Sequence, residues 1–204
     1  MRPIGGTDQE ALCRYLWNTA LCEALYPSFQ ILEVAFRNAV HGEIAKVMND
    51  GRWITNEIGI LYPDEKAAIQ SAKADLSQRA KVVTEDFLIA ELRFGFWTSL
   101  LDARYDKLWH KIVIEVFPHM PKTMRTRGDA SKLMHTVRRL RNAALHHHSI
   151  WHWGDLQQQH LQMNLLISYI CDSVAKMAKQ MDRFPSVYSG GFKQFASAAA
   201  NISN

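Results

Sequence analysis

The feature that most constrains this chain is the spacing of its apolar residues. They recur at intervals of three and four almost throughout, whereas alternating Val, Ile and Thr runs bounded by turn dipeptides are scarce. A helix returns a side chain to one face after three or four positions and a strand after two, so the pattern predicts an all-α fold. With 204 residues, 48% of them hydrophobic, the chain can bury the core of one domain. Residues 1–183 are expected to form that single helical domain. Residues 184–204, with Pro185, Gly190, Gly191 and an Ala/Ser-rich end, read as a loosely packed tail.

Start and stop signals divide the pattern. Asp8 can cap a first helix to about Tyr26, where Pro27 forbids a smooth continuation, and Ser28 can cap a second that reaches about Asn49. Asn49-Asp50-Gly51 reads as a turn. Pro63 and Asp64 open a polar helix to about Ala80; Thr84, Glu85 and Asp86 open the next, which carries ELRFGFWTSLLD and a kink at Gly95. A shorter helix is expected from Tyr105 to Phe117. Asp129 is expected to cap the helix leading into RRLRNAALHHH, and Asp155 to start a long final helix to about Arg183.

Charge and composition narrow the classes. Lys and Arg number 24 against 20 Asp and Glu, and the pI near 9.0 favours an anionic partner. Cys13, Cys22 and Cys171 are widely spaced in helix-like stretches, which argues against a disulfide framework or thiolate metal site and fits a reducing cytoplasm. The opening MRPIGGTDQEALCRYLW has no apolar run behind a basic start, and Asn164 and Ser168 interrupt the apolar stretch from Leu161 to Tyr169. Neither a signal peptide nor a membrane span is expected.

The helix that ends in histidines carries the chemistry. Stepping about 100° per residue from Leu133 places Val137, Leu140, Ala144 and His147 on one buried stripe. Asn142 falls nearly opposite, with Arg138, Arg139 and His146 beside it. Arg141 lies on the flank, about 140° from His146, and joins it only if the helix end or a second subunit brings the two together. Cleaving RNA needs a proton taken from a 2′-hydroxyl and charge stabilised on a phosphate. An imidazole with an ordinary pKa of about 6.5 can do the first, and a guanidinium fork suits the second, with no metal or other cofactor required. The bland alternative is a solvated helix face.

A second polar track lies in LEVAFRNAVHGEI, a helix apolar nearly all round and so expected to be central. Glu33, Arg37 and His41 follow at intervals of four on one flank, with Glu33 and Arg37 placed to form an ion pair. Two further readings stay open. His146, His147, His148, His152 and His160 crowd one segment as a metal site would, although no HExxH spacing exists. Trp151 and Trp153 beside the basic face could instead serve a non-catalytic RNA- or protein-binding module, or simply plug the helix end; Phe94, Phe96 and Trp97 read as core.

The run RNAALHHHSI resembles the signature of the HEPN superfamily, an arginine, a polar residue, and a histidine a few positions on. LEVAFRNAVH, ELRFGFWTSLL and RRLRNAALHHHSIW, taken in that order, resemble the Abi-like (abortive infection) branch of bacterial proteins over about Tyr15 to Trp153. The resemblance implies a HEPN-type helical bundle with additional helices, usually dimeric with the two motifs apposed. It implies a metal-independent endoribonuclease acting as a toxin or phage-defence effector, with an antitoxin or regulatory partner. It carries the catalytic roles to Arg141 and His146, the polar position to Asn142, and the family's first-helix polar set to Glu33, Arg37 and Asn38; Arg138, Arg139 and His147 are supporting candidates. Two positions depart from the family's pattern. His148-Ser149 stands where Glu-Pro commonly follows the histidine pair, and His148 replaces a tyrosine that some members carry as a target of inactivating modification.

Overall fold

The computed structural model describes residues 7–202, and these are all-α, with no strand among them. Residues 1–6, which begin the segment read above for a leader, and residues 203–204 of the expected tail lie outside the described residues. The order is α1 (Asp8–Met48), α2 (Pro63–Gln78), α3 (Glu85–Glu91), α4 (Phe94–Ser99), a 3-10 turn (Ala103–Tyr105), α5 (Asp106–Val116) and α6 (Arg127–Leu145). Then follow α7 (Leu156–Ile170), α8 (Asp172–Met181), α9 (Phe184–Gly190), a second 3-10 turn (Phe192–Phe195) and α10 (Ala196–Ile202).

The two helices expected on either side of Pro27 are one. α1 runs for 41 residues, roughly 60 Å, with Pro27 inside it. A proline there forfeits a hydrogen bond and costs about 3 kcal/mol. The apolar spacing does not break, however: Leu21, Leu25, Phe29, Leu32, Phe36, Val40 and Ile44 are all buried along one stripe. At about 1.5–3 kcal/mol per fully buried large side chain, continuous burial outweighs the lost bond. The N-cap is Thr7 rather than Asp8, its hydroxyl accepting from the Glu10 N–H at 3.1 Å. At the other end Asn49 takes the left-handed conformation that closes the helix, so the expected turn is present.

Around this axis α4 to α10 are packed. Trp53, Trp97, Trp109, Phe36 and Phe117 are fully buried, with Phe117 stacked between Phe36 and Trp109 at centroid distances of 6.0 Å each. Other boundaries shift for similar reasons. The expected kink at Gly95 lies earlier, because Leu92 and Phe94 are both buried on either side of the exposed, extended Arg93 and separate α3 from α4. Thr126, not Asp129, caps α6; Asp129 sits three residues on and donates its N–H to the Thr126 hydroxyl at 3.1 Å.

The long final helix breaks at the extended Cys171, so α8 folds back and Asp182 reaches His160 at 2.9 Å. Burial holds the His160 pKa below its ordinary value, against the pull of Asp182. The tail expected to be loose is helical and packed, with Phe184 and Ala199 buried. Phe184 stacks on His160 at 4.4 Å, Tyr188 and Phe192 pack on Trp17, and the Trp17 indole N–H donates to the Val187 carbonyl at 3.0 Å. Three aromatic anchors explain why a segment rich in Gly, Ala and Ser stays docked. No helix among the described residues is long and apolar enough to cross a membrane.

Candidate active site on the last turns of α6

α6 buries Ala130, Met134, Val137, Leu140, Ala143 and Ala144, and its remaining surface forms a ridge between two clefts. The larger, about 860 Å³, takes Arg138, Arg139 and Asn142 from α6 and His146 from its C-cap, with His135 one turn earlier. His148, Trp153 and Asp155 close its far side. The smaller, about 310 Å³, has Arg141 and Leu145 from α6 facing Gln30, Glu33 and Arg37 of α1. The wheel's separation of Arg141 from His146 is therefore realised in the folded chain. They occupy opposite flanks, and the Arg141 guanidinium touches the other cleft only through a 3.4 Å hydrogen bond from Nη1 to Asn142 Oδ1.

The larger cleft is open, and its cations are tethered at their edges. Arg138 Nη1 donates to the Thr98 hydroxyl at 3.0 Å, and Thr98 is buried on α4. This fixes one arm of the fork and leaves the other nitrogens for an anion. Arg139 lies 5.6 Å over the Trp153 ring and 3.7 Å from Asp155, a solvent-exposed pair that constrains it weakly. The His146 side chain is exposed at the helix C-cap.

The smaller cleft is narrower, and its charges face one another across the α1–α6 interface. Glu33 pairs with Arg141 at 3.6 Å rather than along its own helix with Arg37, correcting the expected i, i+4 pair. The reason is tertiary, since α6 brings a guanidinium to the carboxylate from across the interface. Burial pushes the Glu33 carboxyl above the ordinary carboxylate range; Arg141, Arg37 and the Phe94 N–H pull it back down. The Nε atoms of Arg37 and Arg141 are buried without a hydrogen-bond partner. His41, the third member of the sequence track, turns away to Glu85 at 3.1 Å and stacks on Trp53. Asn38 is exposed on α1 and is not among the side chains lining either cleft.

His147 differs most from its sequence reading. Continued helix would put it on the buried stripe, whereas it is exposed with φ of 61°. Helix α6 stops at Leu145, and the His148 N–H donates back to the Ala143 carbonyl at 2.9 Å, the bond that closes a left-handed helix end. A side chain in this region is strained and persists only where its surroundings enforce it. The turn sends His146 and His148 to the larger cleft and His147 away from it. The histidines do not converge as a metal site: His160 is buried against Asp182, and no group of three or more His, Cys, Asp or Glu among the described residues could hold an ion.

Three residues that the sequence reading did not assign to the site support this surface. Thr98 and the Phe94 N–H come from the FGFWTS segment, which thus touches both flanks, and Asn18 holds the turn after α6. The ELRFGFWTSLL run gave a signal for the first two, but nothing local marked Asn18. No family model, no curated protein and no solved structure matches the chain.

Proposed function

We propose that this protein is a metal-independent endoribonuclease of the HEPN/Abi-like type, a toxin or phage-defence effector of the cytoplasm. The observation that carries the reading is the larger cleft, where an exposed imidazole, an amide and two guanidiniums share a volume open to a polyanion. His146 takes the proton from a ribose 2′-hydroxyl as that oxygen attacks the adjacent phosphorus. The 5′-oxygen leaves, accepting a proton, and a 2′,3′-cyclic phosphate remains. Arg138 and Arg139 supply donors to the phosphate oxygens, and Asn142 hydrogen-bonds beside them. The Arg139 and Trp153 stack offers an adjoining surface to a base.

Arg141 enters differently. Held by Glu33 on the opposite flank, it reaches a phosphate at His146 only from a second copy apposed across α6, as the HEPN resemblance implies. A homodimer with two apposed motifs, and an antitoxin that covers them, belong to the same proposal. A non-catalytic RNA-binding module is favoured by one observation, the Trp153 and Arg139 surface, which would hold RNA without any proton transfer.

One experiment separates them. Purified protein is incubated with structured and single-stranded RNA, with and without EDTA, beside His146→Ala and Arg141→Ala. Cleavage that survives EDTA, leaves cyclic phosphate ends and vanishes in His146→Ala is the expected result. Equal cleavage by His146→Ala sinks the catalytic role. Binding with no cleavage by the unaltered protein leaves the module.

A further inference from the structure

The strain at His147 is held from far away in the chain. Asn18 sits on α1, 6% exposed, and its carboxamide engages the backbone that follows α6. Its Oδ1 accepts the Ile150 N–H at 2.8 Å and the Trp151 N–H at 3.3 Å, while Nδ2 donates to the His148 carbonyl at 3.4 Å. One side chain thus satisfies three backbone groups some 130 positions away. Buried amide groups left unpaired cost about 1–3 kcal/mol each, so few other paths for this segment are comparably stable.

The consequence reaches the cleft. With Ile150 and Trp151 fixed on α1, the chain has only His146 to Ser149 in which to leave the helix, and it does so through the left-handed His147. That turn aims His146 and His148 into the larger cleft and His147 outward. Ile150 is fully buried, and Trp151 packs on Trp17 at 6.5 Å with the Arg14 guanidinium 4.9 Å over its ring, so both ends of the Asn18 contact are anchored.

We propose that Asn18 is a positioning residue for the site: its carboxamide clamps the HHHSIW segment to α1 and thereby sets the direction in which His146 meets substrate. This rests on the ribonuclease reading for its kinetic consequence, not for its structural one. A misplacement of the order of 1 Å can cost about a hundredfold in rate. A lost clamp therefore shows in kcat more than in KM.

The test uses Asn18→Leu, Asn18→Asp and, as a stability control remote from the cleft, Ile69→Ala. In Asn18→Leu the Ile150 and Trp151 amides should exchange with solvent at least about tenfold faster. The turnover rate kcat should fall about tenfold or more with KM changed less than about threefold. Asn18→Asp keeps the acceptor for the Ile150 and Trp151 N–H groups but can donate to the His148 carbonyl only when its carboxyl is protonated, so slow exchange at Ile150 should return on the acid side of that titration. Its introduced carboxyl should also be felt as a titration of the Ile150 and Trp151 amide shifts, and this arm decides the matter if Asn18→Leu does not fold. Unchanged exchange in Asn18→Leu, no titration of those amides in Asn18→Asp, or a kcat loss matched by Ile69→Ala at equal loss of Tm overturns the proposal. If the unaltered protein cuts no RNA, the ribonuclease reading falls while the exchange and titration arms still judge Asn18.

Discussion

The two flanks of α6 carry similar residue types and use them differently. On one, Arg141 is about a quarter exposed and Glu33 slightly less, and they form a pair inside a small cleft against α1. On the other, Arg139 and Asp155 are both more than half exposed, and the imidazole and amide beside them face an open volume nearly three times as large. An enclosed ion pair is part of the interface between helices, so removing a partner strands a charge. An exposed one contributes little to folding and remains available to a ligand. Arginines two or three residues apart on one helix can thus belong to different functions, and burial decides which.

The largest expected effect is catalytic and confined to the open flank. His146→Ala should lower RNA cleavage by about 10³-fold with little change in unfolding free energy, as single-turnover cleavage and urea denaturation would report. An equal loss of stability would erase the contrast. On the enclosed flank Arg141→Ala should cost about 2 kcal/mol of stability, because Glu33 is left in its partly buried position with only Arg37 near. The matching Arg139→Ala should cost no more than about 0.5 kcal/mol. Urea midpoints of the two variants, compared at one pH, test whether burial ranks them.

Acidity sharpens the comparison further. The Glu33 pKa is raised in the folded state, so the folded chain binds that proton more tightly than the unfolded one. Its contribution is full below the ordinary carboxyl value near 4.5 and is lost as pH rises through the folded value. Glu33→Gln should flatten that part of the stability curve, read as Tm against pH. His160 behaves oppositely. Its pKa is lowered by burial, so its contribution is full above about 6.5 and is lost as pH falls through the lowered value. His160→Gln, which lies outside both clefts, should flatten the acid side of the curve and leave RNA cleavage unchanged.

Much of this arrangement was legible in the sequence. The helical wheel of α6 separated Arg141 from His146 before any tertiary contact was known, because the 3.6-residue period fixes directions around an axis. The stripe through Phe29, Leu32, Phe36 and Val40 marked the central helix for the same reason, and all four are buried. What periodicity could not supply was the partner across each interface. Pro27 reads as a stop in isolation, yet the apolar stripe on both sides of it is buried against other helices. Glu33 has Arg37 four residues away in the chain and pairs with Arg141, 108 positions on.

The sequence by itself determined that the chain is helical, where the helices that open near Pro63, Glu85, Asp106 and Leu156 begin, and which residues share a face, since these follow from local spacing and capping. Tertiary structure decided the rest. It carried α1 through Pro27, docked the tail through Phe184, Tyr188 and Phe192, and bent the chain at His147. Each outcome is set by burial and hydrogen bonds between segments far apart in the chain, where the free energy of a long-range contact exceeds a local preference of one to three kcal/mol or so.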